Sequence, residues 1–333
     1  MSNSIKVGIT QGDINGISYE VILKTLEDSR IAELCTPIIY GSPKVASYHK
    51  KMLNLSANLN IINKAEEAQE KKANIINCCG EEVKVEVGFS TPQAGEAAFK
   101  ALERATKDLK EGKIDVIVTA PINKNNIQSE SFSFPGHTEY LESLFGEKGD
   151  ALMVLADENI RIAVVTGHVP VSKISSCLTQ ENILNKIKQF NKSLIEDFGI
   201  FKPRIAVLGL NPHAGDKGVI GSEEEEIIAP AVKQALEEGI VCFGPLPADG
   251  FFGSNGQAHY DGILAMYHDQ GLIPFKTIAM DNGVNFTAGL SVVRTSPDHG
   301  TAYDLAGKNM ASENSFRQAL YMALDIYKNR NNK

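Results

Sequence analysis

Long apolar runs are what this sequence most plainly lacks. Its longest stretches free of charged residues, 52–63 and 282–293, run about a dozen positions, short of the roughly 18 or more that cross a bilayer. An apolar leader is missing as well: residues 1–4 are polar, Lys6 follows, and Gln11-Gly12-Asp13 ends the first apolar run, so no secretory signal is expected. Positive charge is in deficit. Lys plus Arg number 33 against 41 Asp plus Glu, a net charge of −8, which argues against nucleic-acid or anionic-membrane partners, since both require a cationic surface. A local cluster of Lys and Arg still suffices for a small anion. The five cysteines (Cys35, Cys78, Cys79, Cys177 and Cys242) form no C-x-x-C pair and are odd in number. A disulfide framework or thiolate zinc site is not expected; reduced thiols and a cytoplasmic location are.

The usual nucleotide fingerprints are absent too. No two of the 28 glycines stand two apart, so there is no G-x-G-x-x-G, and neither Gly-Lys pair, at 112–113 and 307–308, is followed by Ser or Thr. A bound nicotinamide cofactor therefore needs some other loop.

What is present is alternation. Short β-rich apolar runs at 6–10, 36–40, 74–78, 115–119, 152–156, 161–166, 204–210, 240–244 and 263–267 are separated by amphipathic stretches at 17–27, 43–53, 91–111, 182–198, 222–238 and 312–329. Such βαβ alternation predicts an α/β protein with a mostly parallel sheet and helices on both faces. The carboxylates of 223–226 read as a first helical turn favoured by the helix dipole. The Gly- and Pro-punctuated segment 244–256 is expected to be a mobile loop.

Ligands of open α/β sheets gather beyond the carboxyl ends of the strands, and there the polar residues concentrate. Three of the seven histidines, His168, His213 and His268, each follow an apolar run, with a Gly or Pro beside the first two and Gly271 shortly after the third. They are either a divalent-metal site with an open position or three turn residues bonded to nearby backbone. His137 and Thr138 precede an apolar helix start at 140–144, where they either donate to an anion or cap the helix through Thr138. Lys276, Asn285 and Arg294 form a downstream set suited to carboxylate and phosphate. His49 and His259 are assigned no role. The polar 298–308 loop, with its Gly300 and Gly307, is a candidate nucleotide cradle.

Seven ordered blocks then carry a resemblance: TAPINK (119–124), GHTEYL (136–141), TGHVP (166–170), NPHAG (211–215), GPLPAD (244–249), YHDQGLIPFK (267–276) and 294–307. Over essentially its whole length the chain resembles the 4-hydroxythreonine-4-phosphate dehydrogenase family of pyridoxal phosphate biosynthesis, and its 298–308 loop is similar to the cofactor loop of isopropylmalate and isocitrate dehydrogenases. The resemblance implies two α/β/α lobes around a central cleft, an isopropylmalate dehydrogenase-like fold. The cofactor-side lobe is expected at 1–135 plus 280–333 and the metal and dimerisation lobe at 136–279. It implies a homodimer whose active site is shared between subunits, with His168, His213 and His268 as ligands of Zn, Mg or Co, and His268 as the ligand expected to cross over. His137, Thr138, Lys276, Asn285 and Arg294 are expected to hold the substrate. Asp249 and Asp269 are candidates for orienting the substrate amine or relaying a proton. His299, Gly300, Thr301 and Asp304 are expected to contact NAD, with NADP as the alternative.

The implied reaction is oxidation of 4-phosphooxy-L-threonine at its 3-hydroxyl followed by decarboxylation to 3-amino-2-oxopropyl phosphate, chemistry that a Lewis acid assists. Threonate or erythronate 4-phosphate dehydrogenase is the near alternative, and a three-histidine hydrolase or aldolase the distant one. Two departures from the family pattern stand out. The usual GDPAGIGPE reads Gly12-Asp13-Ile14-Asn15-Gly16-Ile17-Ser18-Tyr19-Glu20, without its prolines, and Ala288, Ser291 and Tyr303 replace residues usually apolar or proline.

Overall fold

A computed structural model describes residues 4–80, 83–279 and 281–331. Its strands are β1 (Lys6–Thr10), β2 (Thr36–Gly41), β3 (Leu59–Ile62), β4 (Ala73–Asn77), β5 (Val116–Thr119), β6 (Leu152–Ala156), β7 (Arg161–Thr166), β8 (Ile205–Leu208), β9 (Cys242–Leu246), β10 (Gly262–Tyr267), β11 (Val284–Ala288) and β12 (Val293–Pro297). The α-helices are α1 (Ser18–Glu27), α2 (Ser29–Leu34), α3 (Pro43–Met52), α4 (Pro92–Lys110), α5 (His137–Phe145), α6 (Ile174–Cys177), α7 (Gln180–Glu196), α8 (Ala229–Glu237), α9 (Ala248–Gly253), α10 (His268–Ala279) and α11 (Asn314–Asn331).

The chain divides into two compact units, residues 1–147 with 290–327 and residues 148–289 with 328–333. In the first, strands run in the order β3-β4-β2-β1-β5-β12, and every pairing is parallel. Parallel strands covered on both faces read as unbroken apolar runs, and all six residues of β2 are buried. Helix α4 covers β1 and β2. The Thr91 hydroxyl caps it by accepting from Ala94 N, Pro92 sits in its first turn, and Ala94, Ala97, Ala98, Ala101, Leu102 and Ala105 form its buried stripe. So many small residues let the helix approach the sheet closely.

The second unit orders its strands β11-β6-β7-β10-β8-β9. The pairs β7/β10, β10/β8 and β8/β9 are parallel, whereas β11/β6 and β6/β7 are antiparallel. Helix α7, capped by the Thr179 hydroxyl at Asn182 N, buries Ile183, Leu184, Ile187, Phe190 and Leu194 against β6, β7, β10 and β11.

Both units are α/β, as the alternation implied, but the divisions fall later than 135/136 and 279/280. Helix α5 stays with the first unit because Tyr140 packs on Phe132 and Phe99, at ring-centroid distances of 5.4 and 6.2 Å. Strand β11 stays with the second because it hydrogen-bonds to β6. The chain's end joins the second unit through Arg330 Nε, which donates to buried Asp197 Oδ1 at 2.6 Å. Segment 244–256, expected as a mobile loop, is instead the end of β9 followed by α9, whose Phe251 inserts into the core.

Candidate active site

In the second unit β7, β10 and β8 lie side by side, and each delivers a histidine beyond its carboxyl end. Thr166 stands opposite Tyr267 in register, so His168 and His268 emerge as neighbours. Their ring centroids are 5.6 Å apart and their planes inclined by 42°. The Thr166 hydroxyl donates to Met266 O at 2.8 Å, tying the two strand ends together. Gln270 ties β10 to the end of β8: its Oε1 accepts from Met266 N at 2.7 Å, and its Nε2 donates to Gly209 O at 2.6 Å. Asp269 Oδ1 lies 2.7 Å from His268 Nδ1. The carboxylate can only accept, so Nδ1 carries the proton and the Nε2 lone pair is available, the orientation that metal-binding imidazoles adopt.

His213 occupies a different kind of position. Residues His213, Ala214, Gly215, Asp216 and Lys217 all have left-handed backbones, with φ of 55°, 52°, 79°, 42° and 56°, and only one of the five is glycine. Each non-glycine residue there costs on the order of 1 kcal/mol, so the surroundings must impose the turn. Glu224 does so. Almost fully buried, its carboxylate accepts from Leu210 N, Asn211 N and Asn211 Nδ2 at 2.8, 2.7 and 3.0 Å. Glu223 accepts from the same amide at 2.8 Å. A Cβ on Gly215 would lie 2.6 Å from Glu224 Oε2, so this glycine lets the loop close over the carboxylate. The acidic run is thus not simply a solvated first turn: a π-turn, Glu224–Ile228, swings one carboxylate inward.

Among the described residues no three His, Cys, Asp or Glu side chains gather as a metal cage. One chain therefore presents His168 with His268 and does not close the expected trio. His268, expected as the ligand that crosses to a second subunit, lies instead beside His168 of its own chain. Asp249 is exposed in the first turn of α9, and Lys276 is exposed near the end of α10. Asn285, half-buried on β11, keeps its Oδ1 shut from solvent without a hydrogen-bond partner among the described residues.

In the first unit a second polar set forms where β5 and β12 end together. Arg294, only 3% exposed, directs Nε and Nη2 to the Thr119 hydroxyl at 3.1 and 2.8 Å. Burial pulls its guanidinium down to about 10, and the nearby Glu139 carboxylate opposes that shift. His137 opens α5. The cap is Gly136, with no side-chain hydrogen bond, so Thr138 is not the capping residue. The His137 Nε2 is shut from solvent and has no partner among the described residues. Burial, then the charges of Arg294 and Lys124, hold its proton affinity well below that of an ordinary imidazole, so the ring is neutral at pH 7. A cation and a neutral imidazole with an uncommitted nitrogen are what a buried anionic group requires.

The 298–308 segment of this unit is anchored to its first βα turn. Thr301 O accepts from Ile17 N at 3.0 Å, and a Cβ on Gly16 would lie 2.5 Å from that same oxygen. His299 Nδ1 donates to Gly300 O at 3.1 Å. Asp304 is exposed, and at Gly300 nothing lies within 4 Å of where a Cβ would point. Behind the turn, buried His49 reaches Ile14 O from Nε2 at 2.7 Å and stacks on Tyr19 at 5.4 Å. The sequence assigns no role to His49 or Gln270 and places Glu224 only in a first helical turn, since each acts through a partner outside its own segment.

Residues 33–323 match the model of a family described as pyridoxal phosphate biosynthetic protein PdxA. A 4-hydroxythreonine-4-phosphate dehydrogenase of Bacteroides thetaiotaomicron is 60% identical over 328 residues, covering 98% of this chain and 90% of that protein. A D-threonate 4-phosphate dehydrogenase of Cupriavidus necator is 38% identical, with 96% of each chain covered. Among solved structures, a 4-hydroxythreonine-4-phosphate dehydrogenase from Klebsiella pneumoniae superposes with a TM-score of 0.84 at 34% identity, covering 98% of this chain and 99% of that one.

Proposed function

Because the chain belongs to the pyridoxal phosphate biosynthetic protein PdxA family, we propose that it oxidises 4-phosphooxy-L-threonine at the 3-hydroxyl, with NAD⁺ as acceptor and a divalent cation. The resulting β-keto acid loses CO₂ to give 3-amino-2-oxopropyl phosphate. The observation that carries the reading is the buried Arg294–Thr119 pair with the solvent-excluded His137 nitrogen within its electrostatic reach, a place prepared for an anionic substrate group. Arg294, Lys276, Asn285, Thr138 and His137 are the proposed grips on phosphate and carboxylate. His137 donates from a neutral ring, which avoids adding a third positive charge beside Arg294 and Lys124.

The imidazole pair fits a borderline divalent cation such as Zn or Co, and Mg less well. His168 and His268 supply two nitrogens from one chain, and His213 is proposed to reach the ion from a second copy in a homodimer. When bound, NAD⁺ would supply a hydride acceptor and the cation, held by the histidines, would supply Lewis acidity. Asp269, committed to His268 Nδ1, is the ring's orienting carboxylate. That leaves Asp249 as the carboxylate for the substrate amine or for a proton relay. His299, Gly300, Thr301 and Asp304 are proposed to line the dinucleotide site.

The D-threonate 4-phosphate dehydrogenase relative makes the 2-substituent the point to test. NADH formation followed by absorbance with the amino and the 2-hydroxy substrate, each with Zn, Mg or Co, should favour the amino compound. His213→Ala should lose both metal retention and NADH formation. Preference for the 2-hydroxy compound would reassign the substrate, and full turnover by His213→Ala would remove the cation from the mechanism.

A further inference from the structure

Asp13, in the loop after β1, and Asn123, in the loop after β5, meet on one atom of the 298–308 segment. The Tyr303 hydroxyl donates to Asp13 Oδ2 at 2.7 Å and accepts from Asn123 Nδ2 at 3.0 Å. Asp13 is itself held in place: Oδ2 also accepts from Asn126 Nδ2 at 2.8 Å, and Oδ1 accepts from Asn15 N at 2.9 Å. Asn15 in turn donates to Phe89 O and Thr91 Oγ1 at 2.9 and 3.1 Å. The phenol is therefore fixed to a network that reaches three separate segments. Beside it, Ala302 is held at φ 41°, a left-handed conformation that an alanine does not choose unaided. Thr301 O to Ile17 N and Asp298 N to Ser315 Oγ at 3.1 Å tie the segment ahead of residue 302, and residues 302–306 close on themselves through Leu305 N to Ala302 O and Ala306 N to Tyr303 O.

We propose that Tyr303 is the positioning residue that holds the cofactor loop in its binding conformation before the dinucleotide arrives. This rests on the reading that His299, Gly300, Thr301 and Asp304 hold NAD. Its ties grip the side of the loop facing Asp13, while Gly300 and Asp304 stay open to a ligand. A loop ordered in advance spares the ligand the entropy of ordering it, so the benefit appears in cofactor affinity and not in the chemical step.

Tyr303→Phe in the full-length protein tests this by two independent readouts. In the nucleotide-free protein, amide hydrogen exchange over residues 299–307 should accelerate about tenfold, the size expected for losing a hydrogen bond to a carboxylate. In steady state, the KM for NAD⁺ should rise about tenfold while kcat and the KM for the phosphorylated substrate change by less than about twofold. Asn123→Ala, which removes another of the hydroxyl's partners, should move both readouts the same way by less. Unchanged exchange overturns the proposal, as does a loss confined to kcat. Should the parent protein fail to reduce NAD⁺, the functional reading falls while the exchange experiment still decides whether Tyr303 orders the loop.

Discussion

Arg294 keeps a positive charge where water scarcely reaches. Thr119 accepts from it through two nitrogens and Glu139 lies within electrostatic reach, so the guanidinium is held in one orientation. Lysine would preserve the charge but not the planar fork that meets a phosphate or carboxylate through two parallel bonds. Arg294→Lys should therefore raise the KM for the phosphorylated substrate about 10- to 100-fold, a cost in the range of a charged hydrogen bond, and affect the KM for NAD⁺ far less. Steady-state kinetics with each substrate varied in turn checks it, and a substrate KM within about twofold of the parent would remove Arg294 from the binding site. At this scale the sequence revealed residue types better than partnerships. The strand-end histidines and Arg294 stand out as polar residues after apolar runs, which is a local signal. That Asn15 and Tyr303, two departures from the family pattern, meet through Asp13 was invisible, because nearly 290 residues separate them in the chain and contact across that distance leaves no trace in composition or spacing.

Glu224 shows how an element's terminus can shape a loop far from it. The π-turn ahead of α8 directs one carboxylate of a four-residue acidic run against the amides of Leu210 and Asn211, and these begin the segment that bears His213. Glu224→Ala would leave two half-buried backbone donors without their acceptor and take one of two acceptors from the Asn211 amide. It should destabilise the protein by about 3 kcal/mol, whereas Glu225→Ala, one residue on and exposed, should stay within about 0.5 kcal/mol. Urea unfolding of both variants checks the contrast, and equal midpoints would show that Glu224 is no more structural than its neighbour. Element by element, the alternation of apolar runs and amphipathic stretches identified β1, β2, β6 and β7 almost to the residue, because a strand covered on both faces must be apolar throughout. Helix α10 escaped because Pro274 interrupts its pattern. Strand β3 escaped because only one of its four residues is buried, and β11 because Asn285 and Thr287 break up its apolar run. Segment 244–256 misled through its glycines: helix α9 is held by Phe251, one apolar anchor among turn-forming residues.

For the molecule as a whole, a buried and a half-buried imidazole couple folding to acidity. His49 is 1% exposed, and burial lowers its proton affinity although its bond to Ile14 O acts the other way. His137 is lowered further, by burial and then by Arg294 and Lys124. Both rings belong to the first unit. Once unfolded, each regains an ordinary affinity near 6.5, so below that pH the unfolded chain binds protons that the folded chain refuses. The stability these rings confer is complete above about pH 6.5 and declines as the pH falls through that value, by up to about 1.4 kcal/mol per pH unit for the fully buried His49. His137 adds to the decline in the same direction. His49→Gln removes one titrating ring, so the fall in unfolding free energy between about pH 7 and about pH 5 should be shallower in the variant than in the parent. Urea unfolding across that range measures both slopes. If the two run parallel, His49 takes up its proton equally in the folded and unfolded chain, and the acid sensitivity of this unit has to come from His137 and the carboxylates instead.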